Sequence, residues 1–465
     1  MLCDGEVVSR LLRDRIFEAK LRIALPAELA ELRALTQNER LHPEQLRSLA
    51  QASAADIVRF AMAHTDYYRE RYARAGIREQ DLSDPDAFRS LPVLERADVR
   101  DHFERIRSDE ATPSNAQYAV TGGTTNEPLR VLRDRRASHR TLGWRLHRWW
   151  GVGPGANQAL IWRDASSGFW KSLRHDAFWW PTRSVRMDAN HIDEKATAAF
   201  LDGWERIRPA LLTGYVGAVI ELAQLVQRSG RAIPPPKAVG VTAAPITPGQ
   251  QEYVCKVFGA PVYDHYQCIE SPMLAGECAR HDGLHVFADA RLVEILDDEG
   301  QPVPTGELGS VVITDFRNRV FPLIRYRLGD EARWKEGACP CGITFPMLEP
   351  VRGRITDMLR FPSGLIVSGD GILAIFDPWP DAVRQFQLRQ ERDYSLTLRC
   401  VRGSDANADR IMRKVVEEVR ATARYEVPVR LELVDEIRHD RGKQRIVVSD
   451  VPGSPAARPP EAAER

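Results

Sequence analysis

Residues 121–128 read TGGTTNEP and run at once into LRVLRDRR. Backbone N–H groups in a glycine-rich turn can converge on an anion, and threonine hydroxyls add donors without adding charge. The same residues also suit a plain turn between two strands. Eight residues do not separate these readings, so the rest of the chain has to.

The chain has 465 residues, which implies two or three domains. A hydrophobic content of 43% supports a sizeable core, and 28% charged residues suit a soluble surface. Lys+Arg and Asp+Glu stand equal at 65 each, so no global charge recruits nucleic acid or an acidic membrane. The leading residues MLCDGEVVSRLLRDRIFEAK lack the unbroken apolar stretch of a signal peptide. No apolar run approaches the ~18 residues of a spanning helix. Seven cysteines at uneven spacing argue against a disulfide framework and for the cytoplasm.

Residues 1–110 carry apolar side chains at three- and four-residue steps and read as helical. Pro43 is expected to open a helix. Ser83 or Asp84 would cap one of two short helices separated near Leu91–Pro92. From about 117 strands alternate with helices: QYAV before the glycine loop, ALIW (159–162), a helix over 216–228, AVGVTA, GAPVYD, RLVEIL (291–296) and SVVIT (310–314). This alternation predicts a layered α/β domain. Beyond 350 the strand YSLTLRCV, the helix ADRIMRKVVEEVRATAR and the strand VRLELVDEI make a small α+β unit. The tail VPGSPAARPPEAAER reads as disordered.

Four further stretches carry chemistry, each weak alone. In YDHYQCIESP (263–272), Glu270 follows a predicted strand. Mg²⁺ takes one or two carboxylates plus phosphate oxygens, so Glu270 is a ligand candidate; an isolated surface glutamate is the bland alternative. In FPLIRYRLGDEARW (321–334), Leu328-Gly329-Asp330 would turn the chain after a strand, and a carboxylate there would accept both ribose hydroxyls. Gly-Asp is also an ordinary turn. Arg354 in VRGRITDML would hold a ribose or sit at a hinge. Lys443 in HDRGKQRIVV would meet developing anionic charge, against the reading of a solvated loop lysine.

Together these stretches resemble the adenylate-forming superfamily of acyl- and aryl-CoA ligases, and more narrowly its phenylacetate–CoA ligase and capsule-biosynthesis-type branch. AHTDYYRERYARAGI…SLPVLERADVR looks like that branch's leading segment. TGGTTNEP is similar to its phosphate loop, DHYQCIE to D-x-Y-G-x-S/T-E, PLIRYRLGD to P-L-I-R-Y-R-T-G-D, GRITDML to G-R-S-D-D-M-L and RGKQR to the terminal G-K-x-x-R. The resemblance covers about 60–445 and rests on the order of several motifs. It implies that Thr121, Gly122, Gly123, Thr124 and Thr125 cradle the β- and γ-phosphates of ATP. It implies too that Glu270 holds Mg²⁺, Tyr266 stacks near the adenine, Asp330 binds the ribose with Arg354 beside it, and Lys443 bridges carboxylate and α-phosphate. Asn126 stands where glycine is usual, Leu129 where many members place lysine, Ile269 and Leu328 where hydroxyl residues are usual, and Thr356 where a hinge carboxylate is common.

GECARHDGLH places Cys278 and His281 three apart, and CPCG places Cys339 and Cys341 two apart. Two close pairs of soft ligands match a structural Zn²⁺ site of Cys₃His type, the alternative being reduced thiols packed as small apolar groups. Cys268 lies in the active-site stretch with no base to activate it. The tryptophans Trp144, Trp149, Trp150, Trp162, Trp170, Trp179 and Trp180 read mostly as packing, with a minority lining a flat acyl pocket.

The expected architecture is therefore α/β: a large N-terminal layered domain (1–353, helical over 1–110), a small mobile α+β domain (354–450) and a tail (451–465). The expected activity is ATP- and Mg²⁺-dependent activation of a carboxylic acid, aromatic by preference, as acyl-AMP, followed by transfer to a thiol such as coenzyme A. Rival readings pass the acyl group to an amine or carrier protein, pass AMP to a hydroxyl, or make the chain a non-catalytic nucleotide binder. A homodimer is left open.

Overall fold

The computed structural model describes residues 2–120, 129–162, 176–189 and 192–354. Beyond these it describes 358–363, 366–368, 372, 375–376, 379, 382–403, 405–437 and 447–451.

The N-terminal part is helical as expected: α1 (Leu2–Ala24), α2 (Pro26–Asn38), α3 (Pro43–His64) and α4 (Asp66–Arg74). Pro43 does open α3, and the His42 ring accepts from the Glu44 N–H to cap it. Asp84, rather than Ser83, caps α5 (Pro85–Arg89) through its carboxylate and the Asp86 N–H. After Leu91–Pro92 come α6 (Arg96–Asp101) and α7 (Phe103–Ile106).

β1 (Ala116–Val120) and β2 (Arg130–Asp134) pair antiparallel, with Val120 opposite Arg130. The glycine loop thus joins the two arms of a hairpin, and residues 121–128 themselves lie outside the described residues. Helix α8 (His139–Trp149) follows.

β3 (Gln158–Trp162), β4 (Ser184–Asp188), β5 (Leu211–Tyr215), β6 (Ala238–Thr242) and β7 (Val262–Tyr266) are parallel, in the spatial order β4-β3-β5-β6-β7. Helices Glu194–Ile207, Val216–Ser229 and Pro248–Phe258 bury their apolar stripes in a cluster with Ala159, Ile161, Leu212, Val239 and Val241. Leu142, Leu146 and Trp150, from α8 and its end, pack in a separate cluster with Leu211, Ala238 and Tyr263. A sheet covered on both faces explains why β6 is buried throughout.

Antiparallel β8 (Ala275–Glu277) and β9 (Leu284–Val286) extend this sheet beyond β7, and β13 (Met347–Leu348) completes it to eight strands. β10 (Arg291–Leu296), β11 (Gly309–Asp315), β12 (Tyr326–Ala332) and β14 (Arg352–Arg354) form a separate antiparallel sheet. The strand reading of 291–296 and 310–314 thus holds, but these strands do not continue the α/β alternation. The largest core cluster packs this sheet against α3, α4 and the segment around Leu91–Val99.

The C-terminal part has its own core, from Leu359 to Val447. It holds the hairpin β15 (Met358–Arg360) and β16 (Ile366–Ser368) and a mixed sheet. That sheet runs in the order β19 (Val429–Leu433), β18 (Leu396–Arg402), β17 (Val383–Gln390) and β20 (Val447–Ser449). Helix Ala408–Thr422 packs its apolar stripe, Ile411, Met412, Val415 and Val419, into the same core.

Candidate active site

The carboxyl ends of parallel strands are where α/β sheets bind ligands. β7 ends at Tyr266, whose phenol donates a 2.6 Å hydrogen bond to Oδ2 of Asp330. Burial and then the Asp330 charge hold the phenol far above its usual range, so it stays a donor.

Asp330 corrects one expectation. Leu328-Gly329-Asp330 do not turn the chain after a strand; they lie inside β12. The register with β11 jumps between Arg327, opposite Val312, and Glu331, opposite Ser310. Gly329, at φ +83, supplies the left-handed residue that such a bulge requires. The bulge takes Asp330 out of regular pairing with β11 and leaves it opposite Arg354 on β14. The two residues expected at the ribose are therefore cross-strand neighbours.

Glu270, four residues past β7, is only 4% exposed. The Tyr326 phenol donates to its Oε1 over 3.5 Å, and the Arg96 guanidinium stands 3.9 Å from the same oxygen. A buried carboxylate with such loose partners can accept a hard cation. Arg96 reaches it through a built path. Leu94 exchanges backbone hydrogen bonds with Arg325 and Arg327 on either side of Tyr326 (2.9 and 3.0 Å). The Arg325 guanidinium donates to the carbonyls of Arg89 and Leu91. Glu95 caps α6 in a reciprocal box with Asp98, and Arg96 is the first residue of that helix. Arg133 on β2 donates from Nε to the Ile269 carbonyl at 2.8 Å, one residue from Glu270. The Cys268 thiol is held well above its usual range, first by burial and then by Glu270. It is no nucleophile in this setting.

A second cluster lies at the other edge of the eight-stranded sheet. The ligand atoms of Cys278, His285, Cys339 and Cys341 all lie within 4.8 Å of one another. Cys278 Sγ and Cys339 Sγ are 3.6 Å apart, and Cys341 Sγ is 3.4 Å from His285 Nε2. Thiolates at about 2.3 Å from a tetrahedral Zn²⁺ stand roughly 3.8 Å apart, so this donor set fits. The Arg280 and Ile343 N–H groups each point at a cysteine sulfur two residues back, both at 3.4 Å, as in a metal knuckle. The His285 Nδ1 faces the Phe345 carbonyl at 3.4 Å, which leaves Nε2 for a metal.

This replaces the expected ligand His281. His281 sits at φ +51, stacks on Tyr263 at 4.7 Å and pairs its Nδ1 with Glu277 at 3.2 Å. The C-x-x-H spacing suggested it. The correct signal is D-G-L-H: a glycine turn at 283 returns the chain into β9, and His285 is the middle residue of that strand, opposite Met347 on β13.

No protein-family profile matches the chain. It is 25% identical over 387 residues to a phenylacetate–coenzyme A ligase of Thermus thermophilus, covering 77% of this chain and 81% of that one. A phenylacetate–coenzyme A ligase of Escherichia coli is 23% identical over 346 residues, covering 69% and 75%. The crystal structure of 2-hydroxyisobutyryl-CoA ligase in its postadenylation state superposes with TM-score 0.71 at 22% identity, over 86% of this chain and 89% of that one. Over most of its length the chain is similar to phenylacetate–CoA ligases. Its fold is that of the 2-hydroxyisobutyryl-CoA ligase structure, a large N-terminal and a small C-terminal α/β domain.

Several positions that the superfamily resemblance singled out lie outside the described residues: Thr121, Gly122, Gly123, Thr124, Thr125, Asn126, Thr356 and Lys443, with Trp170 among the tryptophans. Leu129 is described and explains itself. It is 2% exposed in the main core, so this position serves packing instead of presenting a lysine. Of the tryptophans singled out, Trp144 and Trp150 are buried, Trp149, Trp162 and Trp179 are half-buried, and Trp180 is exposed. Trp150 stacks on Tyr263 at 5.0 Å and donates to the Glu277 carbonyl, and Trp144 packs with Phe17 and Trp179. Trp162 meets Tyr215 at 4.9 Å where β3 and β5 end side by side. Sequence reasoning missed Arg96, Arg133, Tyr326 and His285. Arg96 and Tyr326 stood inside motifs that had been recognised, and only tertiary pairing reveals their target.

Proposed function

We propose that the chain uses ATP and Mg²⁺ to convert a carboxylic acid, aromatic by preference, into an acyl-adenylate and then passes the acyl group to coenzyme A. The observation that carries this reading is the convergence of Tyr266, Asp330 and Glu270 at the carboxyl end of β7. Relatives named as CoA ligases and a neighbour solved with an acyl-AMP support the chemistry. In this reading Asp330 and Arg354 take the ribose, Tyr266 the adenine and Glu270 the Mg²⁺. The loop 121–125 takes the β- and γ-phosphates, and Lys443 meets the charge that develops at the α-phosphate. No side chain acts as nucleophile. We read 1–353 as the large domain and 354–450 as the small one, and the separate C-terminal core supports this division.

Cys278, His285, Cys339 and Cys341 would hold a structural Zn²⁺, which when bound would pin the loop before β13 to the sheet edge.

Acid-dependent exchange of pyrophosphate into ATP tests the first half-reaction, with Lys443→Ala as the control. AMP release that requires CoA tests the second. Exchange with AMP release only when an amine or carrier protein is supplied would replace CoA as the acceptor. No exchange with any acid would favour a non-catalytic nucleotide binder.

A further inference from the structure

The deeply buried arginines of this molecule each keep a carboxylate. Arg145 meets Asp289 at 2.8 Å, Arg291 meets Asp315 at 2.9 Å and Arg325 meets Glu294 at 3.1 Å. Burying a guanidinium is costly, and a close anion offsets that cost. Arg133 is less deeply buried and differs from them. It is partly buried in the active site, and among the described residues its hydrogen bonding is a single Nε–H to the Ile269 carbonyl. No carboxylate of the described residues lies in ion-pair range of it. Burial lowers its pKa, opposed only by the more distant Cys268 and Glu270. The outer edge of its fork, with four N–H donors, is left to something else.

Its position says what. Arg133 lies on β2, which begins just after the glycine loop, three residues beyond the Arg130 that pairs with Val120. Its anchor, Ile269, is the residue before Glu270 and has no hydroxyl to offer a ligand. Arg133 therefore brings donors to a peptide whose own side chain has none.

We propose that Arg133 is an anion receptor of the active site, its open guanidinium edge binding an oxyanion group next to Glu270. The ligand identities rest on the ligase reading above. Two sources share this chemistry: the polyphosphate of ATP, or a second acidic group on the acid that is activated. A planar fork suits either, since both phosphate and carboxylate accept two parallel N–H bonds.

The test uses the full chain and the variants Arg133→Met and Arg133→Lys. Calorimetry reads Mg·ATP and AMP binding, and pyrophosphate exchange reads KM for phenylacetate and benzoate against succinate and phthalate. If the anion is polyphosphate, Arg133→Met weakens Mg·ATP at least tenfold, leaves AMP within twofold and spares the acids. If it belongs to the substrate, Mg·ATP stays within twofold, KM for the dicarboxylic acids rises at least tenfold and their advantage over the monocarboxylic acids disappears. In both cases Arg133→Lys recovers part of the loss. Unchanged binding and KM values in Arg133→Met, with a lower melting temperature alone, would make Arg133 a clamp on the Ile269 carbonyl and overturn the proposal. Thermal shifts with inorganic pyrophosphate and with succinate need no turnover. They test Arg133 even where the wild type exchanges pyrophosphate with no acid, a result that sinks the ligase reading instead. Equal shifts in wild type and variant then overturn the receptor. Should Arg133→Met fail to fold, Arg133→Gln, which keeps an N–H donor for Ile269, takes its place.

Discussion

The Tyr266 phenol and the Asp330 carboxylate, 64 residues apart in sequence, meet at 2.6 Å across the gap between the two large sheets. Tyr266 ends a parallel strand and Asp330 sits on the bulge of an antiparallel one, so the bond locks the two layers together where the nucleotide is proposed to bind. Tyr266→Phe keeps the ring and removes the bond. Hydrogen bonds to charged groups contribute about 1.5–3 kcal/mol, part of which the bound ribose would replace. KM for ATP is therefore expected to rise roughly three- to tenfold, and Asp330→Ala to lower exchange at least ~100-fold. A Tyr266→Phe enzyme as impaired as Asp330→Ala would mean that the phenol, and not the ring, is what the nucleotide needs.

Much of this was legible in the sequence. The 3.6-residue period around Pro43, the strands 158–162 and 291–296 and the helix 216–229 fall where patterning puts them, because each buries one face or both. The motif order pointed to the phenylacetate–CoA ligases that the chain resembles over most of its length. What could not be read was non-local. Nothing in LGD announces a bulge, since a turn and a bulge ask the same φ of Gly329. Nothing in LERADVR says that Arg96 ends near Glu270, since that follows from Leu94 bridging to Tyr326, more than 200 residues away. His285 lost to His281 in the sequence reading because C-x-x-H is a familiar spacing and strand direction is not visible in it.

Glu270 is buried beside the Tyr326 phenol and the Arg96 guanidinium, so its charge is held inside the protein by loose contacts. Glu270→Gln preserves the volume. Exchange is expected to fall at least ~100-fold, with the Mg²⁺ concentration for half-maximal activity rising, because a neutral amide is a poor ligand for a hard cation. An unchanged Mg²⁺ titration would assign the metal to another residue.

The metal cluster makes a sharper forecast, because two histidines compete for one role. Chelator-treated and repurified wild type is expected to hold about one zinc per chain. Cys339→Ser and His285→Ala should each lower zinc content and melting temperature, whereas His281→Ala should keep the zinc and lose its stack on Tyr263 and its contact with Glu277. Elemental analysis of the three variants decides. Zinc retained in His285→Ala and lost in His281→Ala would restore the C-x-x-H pair. A zinc-free wild type that melts normally would leave four packed thiol and imidazole groups and no metal site.

Stability should also respond to pH through His265. It is 4% exposed beneath Trp150, its Nδ1 has no hydrogen-bond partner among the described residues, and burial, then the nearby His147, push its pKa down to about 3. His147 itself is pushed down to about 4 by burial. An unfolded histidine titrates near 6.5. Between that value and the depressed one the unfolded chain holds a proton that the folded chain does not, so stability is full above about 6.5 and falls as pH drops. Each histidine contributes about 1.4 kcal/mol per pH unit over that window. Asp264 works the other way. Its carboxyl is pushed up to about 8 by burial and Glu277, so between about 4 and 8 the folded chain holds the extra proton and stability rises as pH drops. Among these three groups, below about 6.5 the two histidines outweigh the one carboxyl. Denaturant unfolding of wild type and His265→Gln at pH 7, 6 and 5 isolates the His265 contribution, since Asp264 and His147 remain in both. The variant should lose close to one proton's worth of slope below pH 6. Parallel curves would show that His265 takes up its proton in the folded protein without resistance, and that the pocket under Trp150 is wetter than its burial implies.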